Sequence, residues 1–389
     1  MRKILLLTVV LFCNTLITKA EPLSPDAKIS LLTCAPGNEI YSYFGHTAIR
    51  VTDPVSGTDY VFNYGAFSFE SKNFFWNFAK GRTDYQLVVQ RMNSFMREYE
   101  EEQRSVSELL LDLTPVEKQL LYDALAENYK PENRIYRYNH FLDNCATRVR
   151  DQFEKAVSGK LAYDKSGNHE MSFRDLIKLY LPNNSWIGLG IHLALGMATD
   201  RKATFAEKMF LPDYLEADMS KATVAREGKN VPFTQPRKIL FEAQKENEPF
   251  NWWSPKVVIL IFLLTVTAST IIEYFLKKRW IELDFVIFFI FGIAGILLTF
   301  LSFSSELEGT ARNLNLLWAW PIHTIFAFVW TKGSWRKYTI WYLKVLAVSV
   351  ALFLLIMPIV PQGFHPLTAP LALILLFRSA NVFLPATKK

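Results

Sequence analysis

The chain has 389 residues, of which 50% are hydrophobic and 15% aromatic. Its net charge of +6 is modest and includes no basic cluster interleaved with aromatics, which argues against a nucleic-acid partner. The apolar residues are unevenly spread, and their distribution divides the chain.

Residues 1–20 join a basic start (Arg2, Lys3) to a short apolar run from Ile4 to Phe12 and a weakly polar end at Lys19-Ala20. This is the pattern of a signal peptide cut after Ala20. The run is short for a spanning helix, and an uncleaved anchor is the alternative.

Residues 21–216 are mixed in polarity and predict a globular domain of ordinary size. Strands are expected at Lys28 to Thr33, Thr47 to Thr52 and Tyr60 to Tyr64, then at 83–90 and 105–113. In the third, Tyr60, Phe62 and Tyr64 share one face while Val61 and Asn63 share the other. Thr114-Pro115-Val116-Glu117 combines an N-cap, a proline at the first helical position and a capping-box glutamate, and predicts a helix to about Asn128. Another helix is expected from Asn144 through Ala156, with helical patches at 172–180 and 203–210. The fold class is therefore α+β, an antiparallel sheet with helices packed on it. Residues 217–254 are polar with scattered proline and charge, and are expected to be a linker.

Residues 255–386 are mostly apolar and predict an all-α membrane bundle. Five spans are expected, near 256–276, 281–303, 315–331, 338–357 and 367–384, against a hydrocarbon core of ~30 Å. Basic residues collect in alternate loops: Lys277-Lys278-Arg279, then Lys332, Arg336 and Lys337, then Lys388 and Lys389. By the positive-inside rule these loops are cytoplasmic and the 21–216 domain is outside. Trp252 and Trp253, just before the first span, suit an interfacial aromatic belt.

Cys145 follows Asn144, a natural N-cap, so it falls in the first turn of a helix where free N–H groups and the helix dipole favour a thiolate. Two other readings stand beside this one: a small buried apolar residue, or a disulfide with Cys34. His46, in Gly45-His46-Thr47-Ala48-Ile49-Arg50, is the candidate base, with His140 as competitor. A third group should orient the imidazole. A hairpin centred near residue 56 brings residues 63–65 opposite His46, which favours Asn63, with Tyr64 next and Tyr43, Arg50 and Asp143 behind. Arg50 is expected to pair with a carboxylate or to contact a phosphate. There is no Gly-x-Ser-x-Gly elbow, Walker loop or His-Glu-x-x-His zinc motif, and no metal or diffusible cofactor is implied.

A strand His followed about a hundred residues later by Asn-Cys at a helix start resembles the circularly permuted NlpC-type papain-like fold, lecithin retinol acyltransferase included. A closer resemblance extends into the membrane half. Leu31-Leu32-Thr33-Cys34-Ala35-Pro36-Gly37, Phe44-Gly45-His46-Thr47-Ala48-Ile49-Arg50-Val51, Phe62-Asn63-Tyr64-Gly65 and Asp143-Asn144-Cys145-Ala146-Thr147 resemble the Lnb family of bacterial lipoprotein N-acyltransferases. Asn313-Leu314-Asn315-Leu316-Leu317-Trp318 and Pro321-Ile322-His323 fit the same family.

The resemblance implies an inner-membrane enzyme with its catalytic domain in the periplasm. Cys145 would take a fatty acyl group from a membrane phospholipid and pass it to the α-amino group of a diacylglyceryl-cysteine lipoprotein. His46 would activate the thiol and later deprotonate the amine. Arg50 and Tyr64 are candidates for substrate contact, and His323, on the outer side in the expected topology, either contacts substrate or makes a hydrogen bond between helices. Three rivals remain: a thiol phospholipase, a cell-wall amidase or peptidase, and a non-enzymatic scaffold with a Cys34–Cys145 disulfide.

Overall fold

The computed structural model describes residues 22–67, 73–157, 161–166, 169–182, 184–244, 251–329 and 336–381. The expected signal peptide, Lys332 and the C-terminal Lys388 and Lys389 lie outside them.

The outer domain opens with β1 (Lys28–Cys34), β2 (His46–Asp53) and β3 (Thr58–Ala66). A short α1 (Phe74–Ala79) leads to β4 (Asp84–Arg91), α2 (Met92–Glu101) and β5 (Val106–Leu110). Next come α3 (Pro115–Tyr129), β6 (Ile135–Arg137), α4 (Cys145–Ala156) and β7 (Leu161–Ala162). The domain closes with α5 (Phe173–Lys178), α6 (Trp186–Ala194), α7 (Phe205–Lys208), α8 (Pro212–Lys221), β8 (Thr223–Arg226), β9 (Lys229–Pro232) and β10 (Lys238–Phe241).

Seven strands form one antiparallel sheet in the order β10-β5-β1-β2-β3-β4-β6, and β7-β8-β9 form a smaller one. The alternation read from the sequence sorts the side chains as expected. Phe62 and Tyr64 join Ile49, Val51, Leu121, Val149 and Phe153 in the core beneath α3 and α4. Val61 faces the other way, with Leu32, Cys34, Ala48, Phe95 and Tyr99 under α2. The predicted capping box at the start of α3 is present, with Thr114 and Glu117 each satisfying the other's backbone N–H.

The stretch 217–254 is not simply a linker. Residues 217–221 finish α8, β8 and β9 form a hairpin, and β10 pairs with β5 at the edge of the main sheet. Its sequence is polar because edge strands keep one face in water.

The membrane half contains α9 (Pro255–Leu276), α10 (Ile281–Ser304), α11 (His323–Val329), α12 (Arg336–Ile356) and α13 (Thr368–Ala380). Among the described residues, Pro255–Leu276, Ile281–Ser304 and Lys337–Ile356 are long and apolar enough to cross a membrane, and Thr368–Ala380 is a shorter apolar helix. The third expected span differs most. Its first half, from residue 315, is a 3₁₀ turn and irregular backbone, and an α-helix begins only at His323, past Pro321. Gly295 of α10 makes room for that backbone, since a Cβ there would lie 2.6 Å from Ala319 O.

Backbone hydrogen bonds join the two halves. Gly196 N–H donates to Gly309 O (2.8 Å), Glu306 N–H to Lys80 O (2.9 Å) and Met197 N–H to Arg312 O (3.2 Å). Asn313 Nδ2 donates to Leu193 O (2.6 Å), and Gly363 N–H to Asp200 Oδ1 (2.9 Å), whose carboxylate also holds Arg174.

Candidate functional site

The site begins with the cap of α4. Asn144 Oδ1 accepts from the N–H groups of Ala146 (2.9 Å) and Thr147 (3.0 Å), and Thr147 Oγ1 accepts from Asn144 N–H (2.8 Å). The Asn144 amide nitrogen donates to His140 O (2.9 Å) and Phe210 O (2.8 Å). All of Asn144 is therefore committed, and Cys145 is fixed as the first residue of the helix, where its own N–H has no intrahelical partner.

His46 opens β2 and is paired in register with Cys34 of β1. Gly45 before it has φ 76°, and a Cβ there would stand 2.7 Å from Cys34 O, so only glycine lets the strand begin here. The β2–β3 hairpin pairs Ile49 with Phe62 and Asp53 with Thr58, which carries Asn63 to the His46 end. His46 Nε2 lies 3.2 Å from Asn63 Oδ1. Because that oxygen only accepts, Nε2 carries a proton, and the other ring nitrogen is left for the Cys145 sulfur, to which His46 is hydrogen-bonded.

Burial pushes the Cys145 thiol up, but the charge and hydrogen bond of His46, with a backbone hydrogen bond from Thr47, more than reverse this and hold it below the ordinary cysteine value. Burial pulls His46 down, and the Cys145 charge with hydrogen bonds to Cys145 and Asn63 carry it above the ordinary histidine value. Both shifts run in the direction that mutual contact gives, each group favouring the charged form of the other.

The structure thus brings Cys145, His46 and Asn63 together. It places the other sequence candidates elsewhere. Arg50 is forked onto Asp59 (2.8 and 2.9 Å) and reaches Glu108 (3.1 Å), the expected carboxylate pairing, and does not face the thiol. Tyr64 is buried, with its hydroxyl donating to Asn128 Oδ1 (2.8 Å). His323 is sealed inside the membrane half, bonded to Trp318 O (2.9 Å) and to the Tyr342 hydroxyl. In this structure all three are held by these partners, and for His323 they give the hydrogen bond between helices that the sequence also allowed. Cys34 and Cys145 are both free thiols, so the disulfide reading fails. Cys34 packs in the core under α2, where burial pushes its thiol up and out of reactive range.

Sequence reasoning missed Tyr138. Its hydroxyl lies at the Cys145 backbone N–H, and its ring stacks on Tyr85 at 4.0 Å between centroids. It also missed how His140 is used. That ring packs edge-on against Tyr138 (5.1 Å) and Phe78 (6.1 Å), and burial pulls it down to about 4, so it is neutral at physiological pH. The run Tyr136-Arg137-Tyr138-Asn139-His140 just before the Cys helix was the available signal.

A sheet-and-helix domain outside, carrying a thiol and an imidazole, on a helical membrane half, defines a membrane protein with an N-terminal periplasmic domain. The chain matches the Lnb N-terminal periplasmic domain over residues 22–181 and the Lnb transmembrane domain over residues 245–389. It belongs to the Lnb family, an acyltransferase family. No curated protein and no solved structure matches it significantly.

Proposed function

We propose that this chain is an inner-membrane lipoprotein N-acyltransferase working through a thioester on Cys145. The observation that carries the reading is the Cys145–His46–Asn63 arrangement, on a domain tied by backbone hydrogen bonds to the outer loops of the membrane half. Donor phospholipid and acceptor lipoprotein both expose their reactive groups at that depth, so little translational freedom is lost in bringing them together.

In the first step the Cys145 thiolate attacks the carbonyl carbon of a phospholipid ester. A C–S bond forms, the ester C–O bond breaks, and the His46 imidazolium gives its proton to the departing lysophospholipid oxygen. In the second step the α-amino group of a diacylglyceryl-cysteine attacks the thioester. A C–N bond forms, the C–S bond breaks, and neutral His46 takes the proton that nitrogen loses, which restores the thiolate–imidazolium pair. In both steps the developing negative oxygen needs donors, and the Cys145 N–H and Tyr138 hydroxyl are at hand.

A thiol phospholipase or an amidase would use the same side chains. The burial of Cys145, only 7% exposed, favours transfer to an amine over release to water. The test is the intact mass of a lipoprotein N-terminal peptide from cells lacking other N-acyltransferases. Cells expressing the native chain should add one fatty acyl mass, and Cys145→Ser should lower the acylation rate by at least about 10³-fold. No added mass with either chain, or free fatty acid as the product, would sink the transfer reading. Equal acylation by both would remove Cys145 as nucleophile.

A further inference from the structure

We propose that the aromatic face of α1 enters the outer leaflet and receives the acyl chain that is delivered to Cys145, an inference that rests on the acyl-transfer reading above. The segment reads Phe74-Phe75-Trp76-Asn77-Phe78-Ala79 and forms a six-residue helix, too short to hold itself together without tertiary contacts. Phe74 supplies the inward contact, stacking on Phe67 at 5.5 Å. The other three rings are turned outward, with Phe75 75%, Trp76 53% and Phe78 38% exposed. A contiguous aromatic patch of that kind on a folded domain marks an interaction surface.

What covers it follows from where α1 is pinned. Trp76 stacks on Phe300 of α10 at 5.3 Å. Ser305 Oγ donates to Ala79 O (2.7 Å), and Glu306 N–H donates to Lys80 O (2.9 Å). Phe300 lies one helical turn, ~6 Å, below the end of a membrane-spanning helix. A ring stacked on it therefore shares its depth, in the outer part of the leaflet. Phe303, 78% exposed, extends the same apolar surface. Lys80, whose Nζ stands 4.7 Å over the Trp76 ring, and Arg82, paired with Glu306, lie where headgroup phosphates would. Charge and depth both select a phospholipid as the occupant rather than a soluble protein.

The patch also leads to the thiol. Phe78 meets His140, His140 meets Tyr138, and the Tyr138 hydroxyl lies at the Cys145 N–H. One aromatic wall thus runs from the leaflet to the nucleophile. A phospholipid with its chain along α1 would present its ester carbonyl toward Cys145. The neutral His140 imidazole adds no charge that would repel that chain.

Two measurements on the full chain in phospholipid nanodiscs decide the matter. The first uses a phospholipid with a diazirine on its acyl chain. Photo-adducts are expected on the peptide spanning residues 73–82, and adducts on α10 without any on that peptide would overturn the proposal. The second compares Phe75→Ser/Trp76→Ser with the native chain. Acyl-enzyme formation from the same bilayer should fall by about tenfold or more, as expected when two rings that enter the leaflet are lost, and Phe75→Leu/Trp76→Leu should restore most of it. Alkylation of Cys145 by iodoacetamide should be unchanged. A full acylation rate in the serine variant, or an equal fall in alkylation, would overturn the lipid-access role. If the native chain forms no acyl-enzyme at all, the transfer reading fails and the photo-adducts alone judge the leaflet contact.

Discussion

In the membrane half, Arg378 donates to Asp284 (2.7 Å), Glu273 (3.0 Å) and Thr270 (3.2 Å), while Arg279 closes the other side of Asp284 (2.6 Å) and caps Arg378 O (2.9 Å). Asn381 and the Trp280 N–H complete Glu273. His323 uses both ring nitrogens in the same exhaustive way. In the outer domain Cys145 is buried and His46 half-buried, but their principal partners are each other. The contrast separates scaffold from chemistry. In hydrocarbon an unmet polar group costs several kcal/mol, so the membrane networks close on themselves and leave nothing to react. In the outer domain the thiol and the imidazole are left facing each other, which is the pairing the proposed acyl transfer would use.

The sharpest way to break that comparison is to open the closed network. Arg378→Met leaves Asp284 and Glu273 with buried negative charge and one remaining arginine, at a cost of about 3–5 kcal/mol. Thermal unfolding in detergent should show an early transition of the membrane half, while iodoacetamide still alkylates Cys145 at its native rate below that temperature. Adding Glu273→Gln should recover part of the loss. An unshifted transition in the single variant would mean that the network is not sealed from water.

A smaller, opposite perturbation belongs to the outer domain. Gly45→Ala forces a side chain into φ 76° and against Cys34 O, for about 1–3 kcal/mol. The strain falls where β1 meets the start of β2, so it should displace His46. Alkylation of Cys145 should slow, and denaturant unfolding should move for the outer domain alone. Unchanged alkylation would show that the strand absorbs the strain away from the imidazole.

The contrast between the halves also governs what could be read from the residues. The site was legible because its signals are local. Asn144 next to Cys145 announces a cap, the four-residue turn between Asp53 and Thr58 fixes the hairpin register, and alternation along β3 separates Asn63 from Tyr64. The partners of Arg50 and Tyr64 are less legible, because a motif lists neighbours in sequence whereas Asp59, Glu108 and Asn128 come from other elements. β10 was missed for the same reason, its partner β5 lying far back in the chain. The β8–β9 hairpin did leave a mark in Glu227-Gly228, both at positive φ, but its strands are four residues long and polar. In the membrane half, hydropathy located the apolar stretches and nothing more. It saw neither the break before His323, where Pro321 was the visible warning, nor the ion network, whose acids lie inside α9 and α10 themselves.

The smallest perturbation asks whether Asn63 shapes the charge pair or only fills space. The proposed transfer uses the Cys145 thiolate and the His46 imidazolium together, so its pH profile should be a bell. The acid limb is set by the lowered thiol and the alkaline limb by the raised imidazole. Asn63 accepts the Nε2 proton and so favours the charged ring. Asn63→Ala removes that support, and the imidazolium should lose its proton at lower pH. The alkaline limb of acyl-enzyme formation should then move down by about half to one pH unit, which is ~1 kcal/mol of the interaction. The acid limb should stay or rise slightly, since a less persistent imidazolium stabilises the thiolate less. Asn63→Asp should act in the opposite sense on the alkaline limb, because a carboxylate holds the ring charged to higher pH. If both variants lower the rate uniformly without moving either limb, Asn63 fixes the angle of the ring and leaves its charge to Cys145.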